Sequence, residues 1–361
     1  MVTPDLDLDY RPKLGARQDF GIGIVGAGAI VNAAHLPAYR KAGFKIAGIM
    51  DVNTEIARQT ATKFEISTVY PDLTAMLDDP HVDIIDIAVP PWHQRKLVEE
   101  ITASGKDVLC QKPLSNDFGE AVGIVDSAER ANITLAVNQQ MRWDQAIRAS
   151  RTLIERGWIG EPVAATIDIS ILTDWSAWPW LLEVEGLDLM YHSIHYFDSL
   201  RSLFGEPCSV SSSGFRYPEQ APRGETRTVT VCDFSDTFGA VVSVNHNNWT
   251  EDRHATLRID GTEGYISGTF GLLYNYPYGR PDTLEFHSTT NMSHLSFKHR
   301  FEEMWAPDSF IGPMGELMKA IEEERPPETH GRDNLKTLQL VHAGYRSMAE
   351  GRSVKPAEIT D

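Results

Sequence analysis

Gly21-Ile22-Gly23-Ile24-Val25-Gly26-Ala27-Gly28-Ala29-Ile30-Val31 is the stretch on which the reading of this chain turns. Its first five residues form a short apolar run bounded by a glycine turn, which reads as a buried strand. Helical spacing follows over 29–41. Strand, glycine turn, helix is the context in which Gly-x-Gly points to dinucleotide binding. Gly26 permits the tight turn, and Gly28 lets the backbone approach a pyrophosphate. Ala29 and Ile30 open the helix, where unpaired N–H groups and the dipole favour an anion. Val31 stands where a third small residue is usual, so the fingerprint is incomplete and a bare structural turn competes with it.

Working outward, the pattern repeats to Val137. Strand-like runs fall at 45–50, 67–70, 82–88, 107–109 and 134–137, with helical spacing at 54–64, 93–104 and 118–131 between them. Apolar strands alternating with helices of this length predict an α/β domain with a doubly wound parallel sheet. Asp51 ends the second strand, where an acid hydrogen-bonds the adenosine ribose; with no Arg or Lys before Arg58, this favours NAD over NADP. The competing reading makes Asp51 a helix N-cap. Val89, Pro90, Trp92 and His93 form a rigid strand-end turn, either a floor under the nicotinamide ribose or a plain helix start. Lys112 ends a further strand, and Pro113 biases it to an extended conformation. Its ammonium either positions a substrate hydroxyl and stabilises negative charge on it, or is an exposed turn residue.

After Asn138 the pattern changes. A helix is expected at 145–156, then strands with period-2 alternation at 163–171, 208–215, 226–234, 239–245 and 256–259, and closing helices at 311–324 and 332–350. This predicts an α+β domain with an open, mostly antiparallel sheet. A helix over 187–204 carries Leu187, Met190, Ile194, Phe197 and Phe204 on one apolar stripe. Asp188, Tyr191 or His192, and His195 fall on an adjoining stripe. A metal held by Asp188, His192 and His195 lacks a further clear ligand, so no metal site is expected. The preceding loop carries Trp175, Trp178 and Trp180, which either stack on sugar rings or form a subunit contact.

These residues resemble the glucose–fructose oxidoreductase, inositol dehydrogenase and rhizopine-catabolism (Gfo/Idh/MocA) family from about Gly21 to the end. The matching stretches are the 88–93 turn, Gln111-Lys112-Pro113 where the family has Glu-Lys-Pro, Asn138 with Arg142-Trp143, and Asp333-Asn334-Leu335-Lys336-Thr337-Leu338. Leu203-Phe204-Gly205-Glu206-Pro207 sets the register of the family's histidine helix, so His195 matches the catalytic histidine. Tyr191 and Ser193 replace its aspartate and glycine. The resemblance implies a Rossmann domain with an α+β partner. It also implies cofactor contacts from Gln111 and Asn138, and a substrate contact from Arg142.

Composition agrees with an enzyme of this class. At 361 residues and 42% hydrophobic, the chain is long enough for two or three domains. The division read from the pattern is an extension over 1–20, an NAD-binding domain over 21–140 and a substrate domain over 141–361. The helix at 332–350 is expected to pack back on the NAD-binding domain. A net charge of −18 argues against nucleic acid and anionic membrane as partners. Three scattered cysteines give no disulfide framework, and no signal peptide or span is expected. The expectation is therefore a cytoplasmic homo-oligomer that binds NAD and a carbohydrate or glycoside. It would oxidise a secondary hydroxyl, with His195 as general base and Lys112 stabilising the alkoxide. Tyr191, His192, Asp188, Arg142 and Trp178 would hold the sugar. The alternatives are a glycoside-cleaving or isomerising enzyme that oxidises transiently with tightly bound NAD, and a non-catalytic NAD-sensing regulator.

Overall fold

The computed structural model describes residues 7–276, 278–290 and 296–360. The chain forms two compact units, neither continuous in sequence. One comprises 12–140, 306–339 and 359–360, and the other 7–11, 141–305 and 340–358.

In the first unit a five-stranded parallel sheet has the order β2-β1-β3-β4-β5. The strands are β1 (Gly21–Val25), β2 (Lys45–Met50), β3 (Ile84–Ile87), β4 (Asp107–Gln111) and β5 (Leu135–Asn138). β1, β3 and β5 are buried along their whole length, as the unbroken apolar runs require. The expected strand at 67–70 contributes only a single bridge, Val69 to Ile49. It is too short to form a ladder, and a short helix, Leu73–Leu77, follows it. The crossover helices start where side chains can cap them. Asn53 accepts from the Glu55 and Ile56 N–H groups at the head of α2 (Thr54–Phe64), and Asp117 accepts from Glu120 at α5 (Phe118–Arg130). The chain re-enters this unit late. Phe310, Met314, Leu317 and Met318 join the core of Ile22, Ile24, Ile49, Ile84 and Leu109. The helix that returns is thus Ile311–Glu322, together with the first part of Gly331–Glu350, not the latter alone.

The second unit is built on an eight-stranded sheet of order β13-β12-β11-β10-β6-β9-β8-β7, in which β7 is Ser209–Phe215 and β10 is His254–Gly261. β6 (Pro162–Ser170) and β9 (Phe238–Asn245) pair in parallel, and every other neighbour is antiparallel. The alternation of β8 (Arg227–Ser235) puts Thr228, Thr230 and Cys232 inside and leaves Val229 and Val231 exposed, so one face stays open. Strands β11 (Gly264–Thr269), β12 (Thr283–Ser288) and β13 (Ser296–Arg300) escaped the sequence reading. They are five or six residues long, and glycine, serine and charged residues break their apolar signal. On the buried side lie α6 (Gln145–Glu155) and α7 (Ile194–Phe204), the latter entered through a π-helical turn, Leu189–Ser193. Among the described residues no helix is long and apolar enough to cross a membrane.

Candidate active site

The glycine turn comes first in the chain. Gly26 has φ +108°, and a Cβ there would meet the Ala88 carbonyl oxygen at 2.5 Å, so both backbone and space require glycine. Its N–H donates to Met50 O at 2.8 Å, which ties the turn to β2. Gly28 is different: it is exposed, and a Cβ there would meet nothing within 4 Å of protein. The space above it is open. Asp51 is not the N-cap of α2, since Asn53 fills that role. Instead Asp51 Oδ2 accepts the Ala27 N–H at 2.8 Å and Oδ1 accepts the Asn53 N–H at 2.8 Å. The acid is thereby pinned beside the glycine turn. An uncrowded backbone at Gly28, the helix start at Ala29 and Ile30, and this carboxylate fit a dinucleotide.

The end of β4 carries Lys112 on a clamped backbone. Gln94 Nε2 donates to Gln111 O at 2.7 Å and to Pro113 O at 3.1 Å. The Gln111 side chain accepts the Lys112 N–H at 2.8 Å through Oε1. Its amide end faces His35 Nε2 at 3.0 Å, and Asn138 Nδ2 approaches the same nitrogen at 3.4 Å. His35 Nδ1–H donates to Asp86 at 2.7 Å, which also receives the Tyr39 hydroxyl at 2.8 Å. This assigns the His35 tautomer and fixes which way the Gln111 amide points. Gln111 and Asn138, read as cofactor contacts, thus spend their amide nitrogens on a buried polar network. Burial lowers the Lys112 ammonium from 10.5 to about 7. The 88–93 turn is a helix start. Pro91 is the first residue of α4 (Pro91–Thr102), while Trp92 and His93 stay exposed, with Trp92 Nε1 donating to His93 Nε2 at 3.0 Å.

In the second unit the π-helical turn reorganises the histidine helix. Leu187, Met190, Ile194 and Phe197 are buried as expected, and Phe204 is half-buried against Phe234 and Phe238. Asp188, expected to contact the sugar, is instead fully buried. Its Oδ2 accepts the hydroxyls of Ser193, at 2.7 Å, and Thr228, and its Oδ1 meets His246 Nε2 at 2.9 Å and His192 Nδ1 at 3.5 Å. Burial pushes this carboxyl up, but hydrogen bonds from His192 and His246 outweigh it and hold the group well below the usual carboxylate range. His195 leaves this cluster and packs edge-on against Trp305, with ring centroids 5.1 Å apart. Tyr191 and His192 are half-buried.

The tryptophan loop closes on the same elements. Trp175 lies 5.1 Å from the His246 ring, Trp180 5.2 Å from Tyr191, and Trp178 5.7 Å from Tyr276. Arg142, expected to bind substrate, is 5% exposed and makes a bidentate pair with Asp198 at 2.6 and 2.8 Å. Its guanidinium is committed to a buried structural ion pair, whose loss of one partner would cost about 3–5 kcal/mol. His246 and Thr173, whose Oγ1 lies 2.7 Å from His246 Nδ1, were missed. The available signal was the polar run Asn245-His246-Asn247-Asn248, which ends a period-2 strand.

Comparison with known proteins finds matches over both units. Residues 20–139 match the sequence model of an oxidoreductase family with an NAD-binding Rossmann fold, and residues 151–355 match that family's C-terminal alpha/beta domain. A D-apiose dehydrogenase from Paraburkholderia graminis is 28% identical, over 92% of this chain and 88% of that one. A myo-inositol 2-dehydrogenase from Thermotoga maritima is 24% identical, over 94% and 99%. Among solved structures, an Agrobacterium radiobacter oxidoreductase in complex with NAD+, L-tartaric acid and magnesium superposes with a TM-score of 0.84 at 26% identity, covering 95% of this chain and all of that one. A levoglucosan dehydrogenase in complex with NADH and L-sorbose gives 0.78 at 20% identity, over 94% and 99%, and shares the fold.

Proposed function

Because this chain belongs to that oxidoreductase family, with its NAD-binding Rossmann fold and C-terminal alpha/beta domain, we propose that it is an NAD-dependent dehydrogenase that oxidises a secondary hydroxyl of a sugar, polyol or glycoside. The observation that carries this reading is Lys112. It is a lysine at the carboxyl end of a sheet strand, its backbone clamped by Gln94 and Gln111 and its ammonium lowered to about 7 by burial. Ligands of open α/β sheets bind at those strand ends. The names of the relatives, sugar and polyol dehydrogenases, support the substrate class. Asp51 beside the glycine turn supports NAD over NADP, since its carboxylate would repel a 2′-phosphate.

NAD, when bound, supplies the acceptor for the hydride leaving the carbinol carbon. His195 takes the hydroxyl proton as general base, with its ring plane set by the Trp305 edge. The Lys112 ammonium holds the same oxygen and stabilises the negative charge that develops there. Tyr191 and His192 orient the remaining hydroxyls, and Asp188 acts from behind by fixing the His192 ring. Replacing each histidine separates these roles. His195→Asn should lower kcat by about 10²–10⁴-fold, while His192→Asn should act mainly on KM. Loss of turnover in His192→Asn with His195→Asn intact would overturn the assignment.

A further inference from the structure

We propose that Asp188, His192 and His246 form a three-ligand site for a zinc-class divalent cation. The donor atoms all lie within 4.8 Å of one another, and Asp188 Oδ1 is 2.9 Å from one imidazole nitrogen and 3.5 Å from the other. Zinc bonds of 2.0–2.1 Å in a tetrahedron put ligand atoms ~3.3 Å apart, and the two separations bracket that value. The three residues come from two elements with independent support. Asp188 and His192 are four residues apart at the π-helical turn, and His246 follows β9.

The surroundings are those of a coordinating set. Ser193 and Thr228 occupy Oδ2 of Asp188, which turns Oδ1 toward the two rings. Thr173 Oγ1 backs the far nitrogen of His246 at 2.7 Å, so His246 Nδ1–H can donate outward and leave Nε2 as a ligand. The His192 and His246 rings stand 4.5 Å apart at 72°, edge to face. Two imidazoles and one carboxylate suit zinc and not magnesium or calcium, which take oxygen donors. Asp188 and His246 are fully buried while His192 is 20% exposed, so a fourth position would open on the His192 side, to water or a substrate oxygen. No metal site is expected from the sequence, because Asp188, His192 and His195 lack a further clear ligand; the structure groups His246, and not His195, with Asp188 and His192.

The test needs no enzymatic activity. Full-length protein carrying Cys208→Ser, which removes the exposed thiol, is stripped with chelator, dialysed against zinc or magnesium and analysed for metal content. Zinc affinity is then measured by competition with a chromophoric chelator. The expected result is one equivalent of zinc and no retained magnesium. Thr173→Val should weaken zinc by about 10–100-fold, the scale for losing an outer-shell partner, and His192→Gln should weaken it more. Thr173→Val replaces a half-buried hydroxyl by a methyl of the same shape, so it reads the site even if His192→Gln proves unstable. Failure of the parent protein to retain zinc would overturn the proposal, as would unchanged affinity in Thr173→Val or His192→Gln.

Discussion

A lysine held at about 7 is divided between its charged and neutral forms at neutral pH, and the two forms serve opposite ends. The proposed role needs the ammonium, so kcat/KM should fall as pH rises through about 7. Stability runs the other way. The folded pKa lies below the unfolded value of 10.5, so the unfolded chain binds the extra proton and stability rises with pH between about 7 and 10.5. Lys112→Met keeps the stem and removes the charge. It should lower kcat by about 10²–10³-fold while raising the melting temperature of the NAD-free protein at neutral pH by roughly 2–4 °C. A drop in both would mean that Lys112 is held by a structural ion pair. At this scale the sequence was a partial guide. The placement of Lys112 and Asp51 was legible because each directly follows an apolar strand run, β4 and β2. The buried partners of Arg142 and Asp188, Asp198 and Thr228 among them, were not legible, because a charged residue looks the same in sequence whether it faces a cleft or a buried partner.

At the scale of elements, the two glycines of the first turn make separable predictions. Gly26→Ala forces an L residue to φ +108° against the Ala88 carbonyl, and should destabilise the fold by about 2–4 kcal/mol. Gly28→Ala meets nothing in the protein, so its melting curve should match wild type while NAD affinity, measured by titration, falls at least about 10-fold. Equal NAD affinity in Gly28→Ala would show that the cofactor does not lie over this turn. A second element test concerns α6. Its N-cap, Asp144, accepts from the Ala146 and Ile147 N–H groups and lies beside the Asp282 carboxyl, which accepts from the Gly271 N–H. Burial raises Asp144 to about 6 and, with the Asp144 charge beside it, raises Asp282 as well, so the pair shares a proton. The folded state keeps a proton that the unfolded chain loses above about 4, so stability falls as pH climbs from there through 6 and beyond. Asp282→Asn supplies a permanent donor and should flatten that slope in urea titrations at pH 5 to 8. An unchanged slope would mean the pair is not coupled. Helices were legible because 3.6-residue spacing and caps such as Asn53 and Asp117 are written locally. β11 to β13 were not, because their burial comes from cross-strand neighbours and not from their own composition.

At the scale of the whole molecule, both units follow from a change in hydrophobic period near Asn138. The return of 306–339 to the first unit does not, because nothing local distinguishes a helix that rejoins an earlier core from one that extends a later one. The histidine cluster belongs to the same class of facts: His246 and Asp188 are 58 residues apart and meet only because β9 ends beside the π-helical turn. The central proposal is that Lys112 and His195 serve one oxidation. The most direct test is NADH formation by the full-length protein with NAD and a panel of pentoses, hexoses, inositols, anhydrosugars and aryl glycosides, repeated with deuterium at the oxidised carbon of any sugar that reacts. The account predicts stoichiometric NADH with at least one carbohydrate, a slower rate with the deuterated sugar, and loss of both signals in Lys112→Met and His195→Asn. Tight NAD binding with no net NADH from any carbohydrate, or NADH formation undiminished in both variants, would contradict it.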